Sequence, residues 1–199
     1  MIKDYLKALK NRRSYYNISD KSPIGDDELQ KLVEEVVQNV PSAFNSQPFR
    51  VVLLLGDNHK KLWDITMETL RKIVPAENFG STEAKINSFK AGYGSILFFE
   101  DELVTTKLQE TYPLYKDNFP TFASQTSGMI QLAMWVALEA EGFGASIQHY
   151  NPIIDEEVKS VWGISPNWKL TAQMPFGVPT AEAKIPEMLP VSEKVKVFK

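Results

Sequence analysis

The chain has 199 residues, 22 Lys and Arg against 25 Asp and Glu, a formal net charge of −3, two histidines and no cysteine. That balance leaves no basic footprint for nucleic acid or an anionic membrane, and the absent cysteine excludes disulfides, thiolate zinc sites, iron–sulfur clusters and thiol nucleophiles. Two histidines, His59 and His149, leave little for a multi-histidine metal centre, so no metal is expected. Met1–Tyr5 lack the apolar core of a secretion signal, and no run approaches the roughly 18 apolar residues of a membrane span. The expectation is a cytoplasmic protein with neither membrane nor nucleic-acid partners.

Residues 2–11 place Ile2, Tyr5, Leu6 and Leu9 at helical spacing and run into Asn11-Arg12-Arg13-Ser14. Tyr15–Ile24 has turn chemistry. Asp26 reads as the N-cap of a second helix with Leu29, Leu32, Val33, Val36, Val37 and Val40 as its core stripe, ended by Pro41. Ser42–Pro48 is a polar loop, and Phe49–Leu55 a short apolar run with the pattern of a strand buried on both faces. Asn58–Ile73 reads as helix, with Leu62, Ile65, Met67 and Leu70 inward. Pro75–Gly94 reads as loop-rich, with room for one short helix.

Ser95–Phe99 is a second buried strand and Asp101–Gln109 a short helix. Tyr112–Phe122 crowds six aromatics and prolines together and reads as irregular. Ala123–Glu141 is the longest helical pattern, with Met129, Ile130, Ala133, Met134, Ala137 and Leu138 inward, stopped by Gly142-Phe143-Gly144. A turn at Asn151-Pro152 precedes a helix at Asp155–Trp162 that begins on an Asp cap. Trp168–Met174 is a third strand, ended by Pro175 and Gly177, and the tail from Pro179 reads as extended. No repeat or linker divides the chain, so the pattern argues one α/β or α+β domain.

The sequence holds no glycine-rich dinucleotide loop after a strand, no phosphate-binding P-loop, no nucleophile elbow and no His-Glu-x-x-His. Polar residues at element ends remain. Arg12-Arg13-Ser14 can grip a phosphate, because the guanidinium fork matches its oxygens; equally, arginines at a helix C-terminus offset the helix dipole. Ser42, Asn45 and Gln47 lie on a loop stiffened by Pro41 and Pro48 and can bond the edge of a planar heterocycle; the same residues are ordinary in a turn. His149, within Gln148-His149-Tyr150-Asn151-Pro152, is a ring contact, an acid, or a structural histidine. The Tyr112–Phe122 window is either a wall for a flat substrate or core and subunit interface.

Taken together, Arg12-Arg13-Ser14, the run Pro41-Ser42-Ala43-Phe44-Asn45-Ser46-Gln47-Pro48-Phe49-Arg50 and Gly142-Phe143-Gly144 resemble the nitroreductase family of FMN-dependent oxidoreductases. The Gln148–Pro152 run and the Val195–Phe198 ending resemble a subgroup with fungal fatty-acid-repression-type proteins and a bacterial copper-induced nitroreductase. The resemblance implies a single nitroreductase-like domain over residues 1–199. Its fold would be α+β, a central, mainly antiparallel sheet flanked by helices, in an obligate homodimer with the C-terminal tail extending onto the partner. It implies FMN as cofactor, NAD(P)H as co-substrate and small aromatic acceptors such as nitroaromatics or quinones, reduced by ping-pong hydride transfer. Arg12, Arg13 and Ser14 would hold the FMN phosphate and ribityl end, with Lys184 reaching the phosphate. Ser42, Asn45 and Gln47 would border the ring from the other subunit, and Ile147, Gln148 and His149 would line its edge. In one departure, Tyr16 stands where many members carry Lys or Arg near the flavin ring, which leaves Arg50 or a helix N-terminus to supply positive charge. The alternatives are a flavin-binding regulator or carrier with little turnover, and an interaction module that keeps only the fold.

Overall fold

The structure is a computed structural model that describes residues 2–199, with side chains described from Asp4 onward, so Ile2 of the first predicted stripe lies outside the described side chains. Its frame is one sheet of β1 (Ile18–Ser19), β2 (Phe49–Leu55), β3 (Gly94–Asp101), β4 (Gly144–Ala145) and β5 (Trp168–Pro179). The order is β1-β5-β3-β2, β4 also lies on β5, and every strand pair is antiparallel.

β3 is central, flanked by β2 and β5, and its sequence answers that position. Ile96 and Phe98 point to one face and Leu97 and Phe99 to the other, each side closing its own core. β2 is the edge strand. Only Phe49 and Leu54 are buried in it, so the expectation of full burial on both faces holds for β3 and is corrected for β2.

On one face lie α1 (Ile2–Asn11), α2 (Asp26–Asn39) and α6 (Phe119–Ala140); on the other lie α3 (Gly56–Arg71), α4 (Phe79–Lys90) and α7 (Asp155–Trp162). The helix α5 (Glu102–Thr111) follows β3 directly, and a single turn, α8 (Val191–Lys194), interrupts the tail. Leu29, Ile130, Met134 and Leu138 pack the first core; Leu62, Trp63, Ile86 and Phe89 pack the second. Each side chain so buried contributes about 1.5–3 kcal/mol relative to exposure.

Several sequence expectations are corrected here. Pro75–Gly94 is mostly helix: α4 buries Phe79, Ile86 and Phe89, a stripe masked by the Gly80-Ser81-Thr82 opening. The Tyr112–Phe122 window is ordered as a 3-10 turn over Pro113–Asn118 followed by the start of α6, because Pro120 fits the first turn of a helix, where no N–H is needed. Asp26 and Asp155 are first helical residues, with Gly25 and Ile154 in the cap positions. Asp26 instead accepts a hydrogen bond from the Tyr93 hydroxyl. α3 begins at Gly56, two residues before its predicted start. β5 runs past Pro175 and Gly177, since a proline's φ suits extended backbone and costs only the bond its missing N–H would make.

Three apolar groups stay outside these cores. Tyr5 and Leu6 on α1 are exposed, as are Met129, predicted inward, and Leu132 on α6. The extended tail carries Ile185, Met188, Leu189, Val191, Val197 and Phe198 into solvent, with Ile185 and Phe198 at 90% and 92% exposure.

Candidate functional site

The residues singled out from the sequence collect at two ends of the sheet. At the first end, the chain leaving α1 runs beside β4: Ser14 bridges Ala145, and the Tyr15 N–H donates to the Ala145 carbonyl at 3.0 Å. Arg12 lies half-buried with its guanidinium 4.2 Å from the Trp135 ring centroid. Its Nε is buried without a hydrogen-bond partner, and no carboxylate pairs with it among the described residues. Burial, then the neighbouring Arg13 charge, lowers its pKa. Arg13 is engaged differently: its Nη1 donates to the carbonyls of Lys10 at 2.6 Å and Arg12 at 2.7 Å, closing the end of α1.

Ser14, Tyr16 and Lys184, distant in sequence, meet in a groove of about 190 Å³ formed by residues 14–17 and 181–184. Beside it, Gln148 exchanges both backbone hydrogen bonds with Gln173, at 2.7 and 2.9 Å. Its side chain is buried and turned inward, donating to Ser146 Oγ at 3.0 Å. Ile147 is half-buried against the first core and His149 is exposed. Tyr150, to which the sequence reading gave no role, sits half-buried with its ring edge-on to Trp63. Burial, then Tyr16, pushes its phenol up to about 12, so it remains a neutral donor.

At the other end, the loop before β2 is held in an unusual conformation. Phe44, Asn45 and Gln47 have φ of +58°, +50° and +51°, the left-handed region that non-glycine residues rarely occupy. Such strain persists only where surrounding contacts impose it and gathers at functional sites. Ser42 Oγ accepts from the Gln47 N–H at 2.8 Å, and the Gln47 Nε2 lies 3.3 Å from Asn45 Oδ1. That leaves the exposed Asn45 Nδ2 and Gln47 Oε1 without partners among the described residues: one donor and one acceptor side by side. Phe44 packs against Tyr112 and Phe119, at 5.1 and 5.6 Å between centroids, joining the loop to the aromatic window.

Arg50 is no free cation. Its Nη2 pairs with Asp101 Oδ2 at 2.9 Å and its Nη1 donates to the Gln47 and Phe49 carbonyls at 2.7 and 2.9 Å. The idea that it supplies positive charge to a ring elsewhere is therefore corrected. No sequence signal links it to Asp101, because only the β2–β3 register brings them together.

The two ends are far apart within one chain. Ser14 bridges Ala145, which lies opposite Phe176, whereas Arg50 pairs with Asp101, which lies opposite Trp168. The eight residue steps from Trp168 to Phe176 span roughly 26 Å. The Asn45 loop and the Ser14 groove share a small ligand only if two chains supply them. His59 belongs to neither end: it is buried between α3 and β3, and burial lowers its pKa to about 4.

Residues 9–178 match the model of the nitroreductase family. The chain belongs to that family. The putative nitroreductase HBN1 of Saccharomyces cerevisiae is 40% identical over 179 residues, covering 89% of either chain. Nitroreductase FRM2 of the same yeast is 38% identical over 183 residues, again covering 89% of either chain. Nitroreductase CinD of Lactococcus lactis, solved in complex with 4-nitrophenol, shares 39% identity with a TM-score of 0.89, over 98% of this chain and 100% of that one. The Gln148–Pro152 run and the Val195–Phe198 ending point to the fatty-acid-repression-type branch of the family, and these relatives bear that out. At 16% identity, a nitroreductase with bound FMN from Desulfitobacterium hafniense shares the fold, with a TM-score of 0.72 over the full length of both chains.

Proposed function

We propose that this nitroreductase-family chain is an FMN-dependent NAD(P)H oxidoreductase that reduces flat aromatic acceptors, nitroaromatics or quinones, and works as a homodimer. The observation that carries the reading is Arg12: a guanidinium with no carboxylate partner among the described residues and a buried, unpaired Nε, two residues from a groove that holds Ser14 and Lys184. A dianionic phosphate satisfies all three donors, so the residues fit FMN. The 4-nitrophenol held by CinD supports the acceptor class.

When bound, FMN supplies the two-electron relay between donor and acceptor. The chain does the rest. Arg12 and Ser14 would hold the phosphate end, with Lys184 lining the same groove as Ser14 and Arg13 fixing the end of α1 that presents them. Ile147, Gln148 and His149 would lie along the ring edge; Gln148 shapes that edge rather than bonding it, since its backbone pairs with Gln173 and its Nε2 donates to Ser146. Asn45 and Gln47 of a second chain present their unpaired amide donor and acceptor to the other edge, with Ser42 holding the loop. The aromatic rings of Phe44 and Tyr112 then wall the space where donor and acceptor bind in turn, which gives ping-pong kinetics. Exposed Tyr5, Leu6, Met129, Leu132 and the apolar tail are the surfaces such a dimer would bury.

A second reading is a flavin-binding regulator or carrier with little turnover. It is favoured by Tyr16 and by the neutralisation of Arg50 by Asp101, which leave no fixed positive charge identified beside the ring. The visible spectrum of the purified protein, before and after anaerobic NADPH, tests both. Bleaching of a flavin band followed by recovery on adding 4-nitrophenol or a quinone establishes the oxidoreductase. A flavin band that NADPH leaves unchanged establishes the carrier, and a colourless protein that gains no thermal stability from FMN overturns both.

A further inference from the structure

The strained loop is held from within by Ser42 and from outside by the two residues that cap α5, Asp101 and Tyr112. At the N-terminus of α5, Asp101 accepts from the Leu103 N–H through Oδ1 at 3.2 Å and from Arg50 through Oδ2 at 2.9 Å; its own N–H donates to the Pro48 carbonyl at 2.7 Å. At the C-terminus of α5, the Tyr112 ring packs at a tilt against Phe44. Ten residues of helix span about 15 Å, which a chain running from Phe44 to Arg50 covers easily. The loop is thus laid along one helix and fastened at each end.

Arg50 is the fastening that acts on the polar residues. One nitrogen, Nη1, takes the Gln47 and Phe49 carbonyls, which fixes the peptide following the left-handed Gln47. Nη2 takes Asp101, so the carbonyl contact is tied to a helix cap and not to a mobile side chain. The guanidinium also lies 5.7 Å from the Trp168 ring centroid, which restricts where it can swing. Without this clamp, only the Ser42 contact at the Gln47 N–H opposes relaxation from φ +51°, and relaxation to an ordinary turn swings the Asn45 and Gln47 amides away from their common direction.

We infer that Arg50 is a positioning residue for ring binding: with Asp101 it holds the left-handed loop whose Asn45 and Gln47 amides recognise the edge of a planar heterocycle. This rests on the flavin reading above. The ligand atoms it governs belong to the ring, not to the phosphate, and that distinction makes it testable.

The test measures FMN and riboflavin binding by fluorescence quenching, with the flavin visible circular dichroism, in wild type, Arg50→Met, Arg50→Lys and Asp101→Asn. Arg50→Met should weaken FMN and riboflavin equally, by about 10-fold or more, and change the dichroism of whatever flavin remains bound. Arg50→Lys should recover only part of the loss, because an ammonium cannot serve two carbonyls and a carboxylate in one plane. Asp101→Asn keeps a cap acceptor and should shift binding in the same direction by less, which covers the case in which Arg50→Met fails to fold. Wild-type affinity and dichroism in both Arg50→Met and Asp101→Asn overturn the inference, as does a loss of thermal stability with flavin binding intact. A wild-type protein that binds neither flavin overturns the functional reading itself, and the two failures are distinguished by that control.

Discussion

The Nδ1 of His59 lies 2.9 Å from the Oγ of Ser95, between α3 and the central strand β3. The Trp63 indole donates to the same Oγ at 3.0 Å, and the His59 Nε2 lies 3.2 Å from the Lys90 carbonyl. One assignment satisfies every atom: Trp63 donates to Ser95, Ser95 to Nδ1, and the neutral imidazole, protonated on Nε2, to Lys90. A second proton on Nδ1 would face the Ser95 hydroxyl's own hydrogen.

That arrangement gives a pH dependence with a definite sign. The folded protein holds His59 at about 4 against 6.5 in the unfolded chain, burial being the main cause. Between those values the unfolded state binds more protons, so stability falls as pH drops through the window, by roughly 3 kcal/mol over its full width. Asp155 acts in the opposite sense, because burial raises its pKa and its contribution is lost as pH rises. The comparison is therefore between wild type and His59→Gln, by denaturant titration at pH 7 and pH 4.5. Wild type should lose more stability than the variant; equal losses would show that His59 titrates normally.

The loop amides make the second prediction. Each neutral hydrogen bond contributes about 0.5–1.5 kcal/mol net, so Asn45→Ala with Gln47→Ala should weaken FMN binding roughly 5- to 150-fold and shift the flavin midpoint potential as well. Both residues are exposed, so thermal stability should hardly change. Unchanged affinity and potential would reduce the loop to a simple turn.

What the sequence made legible depended on how local the signal was. Strand β2 was bounded correctly because Pro48 and Gly56 frame its apolar run, and the end of α6 because Gly142, at φ +89°, stops it. Pro75–Gly94 reads as loop with room for only a short helix, because small polar residues hide the buried stripe of the twelve-residue α4. The Arg12 and Asn45 motifs were visible as motifs, but the 26 Å scale of the strand path between them was not, since it comes from antiparallel pairing of residues far apart in sequence. The Arg50–Asp101 clamp was invisible for the same reason.

The tail gives the third prediction. With Ile185 and Phe198 nearly fully exposed, an isolated chain presents a run of apolar side chains that a partner would bury. Light scattering at low micromolar concentration should report twice the 22.6 kDa chain mass. A variant ending at Lys184 should dissociate at higher concentration than wild type and lose bound flavin as it does so. A monomeric full-length protein would rule out a site shared between chains, because the Asn45 loop could then not reach the Ser14 groove.

The fourth prediction isolates the phosphate. Arg12 has a buried Nε without a partner and a guanidinium resting on Trp135, so its charge is presented by packing, with no carboxylate among the described residues to cancel it. A charge-assisted hydrogen bond contributes about 1.5–3 kcal/mol, so Arg12→Ala should raise the FMN dissociation constant roughly 10- to 150-fold. Riboflavin lacks the phosphate, and its binding should be nearly indifferent to the same change. Arg50→Met is expected to weaken both ligands alike, so the two variants divide the ligand between them, one reporting on the phosphate and the other on the ring. Salt provides a further check. Raising ionic strength should weaken FMN binding to wild type more than to Arg12→Ala, because screening acts on the charge that the variant has already lost. Equal losses of FMN and riboflavin in Arg12→Ala would make Arg12 a packing residue for Trp135 and return the phosphate to Lys184 and Ser14.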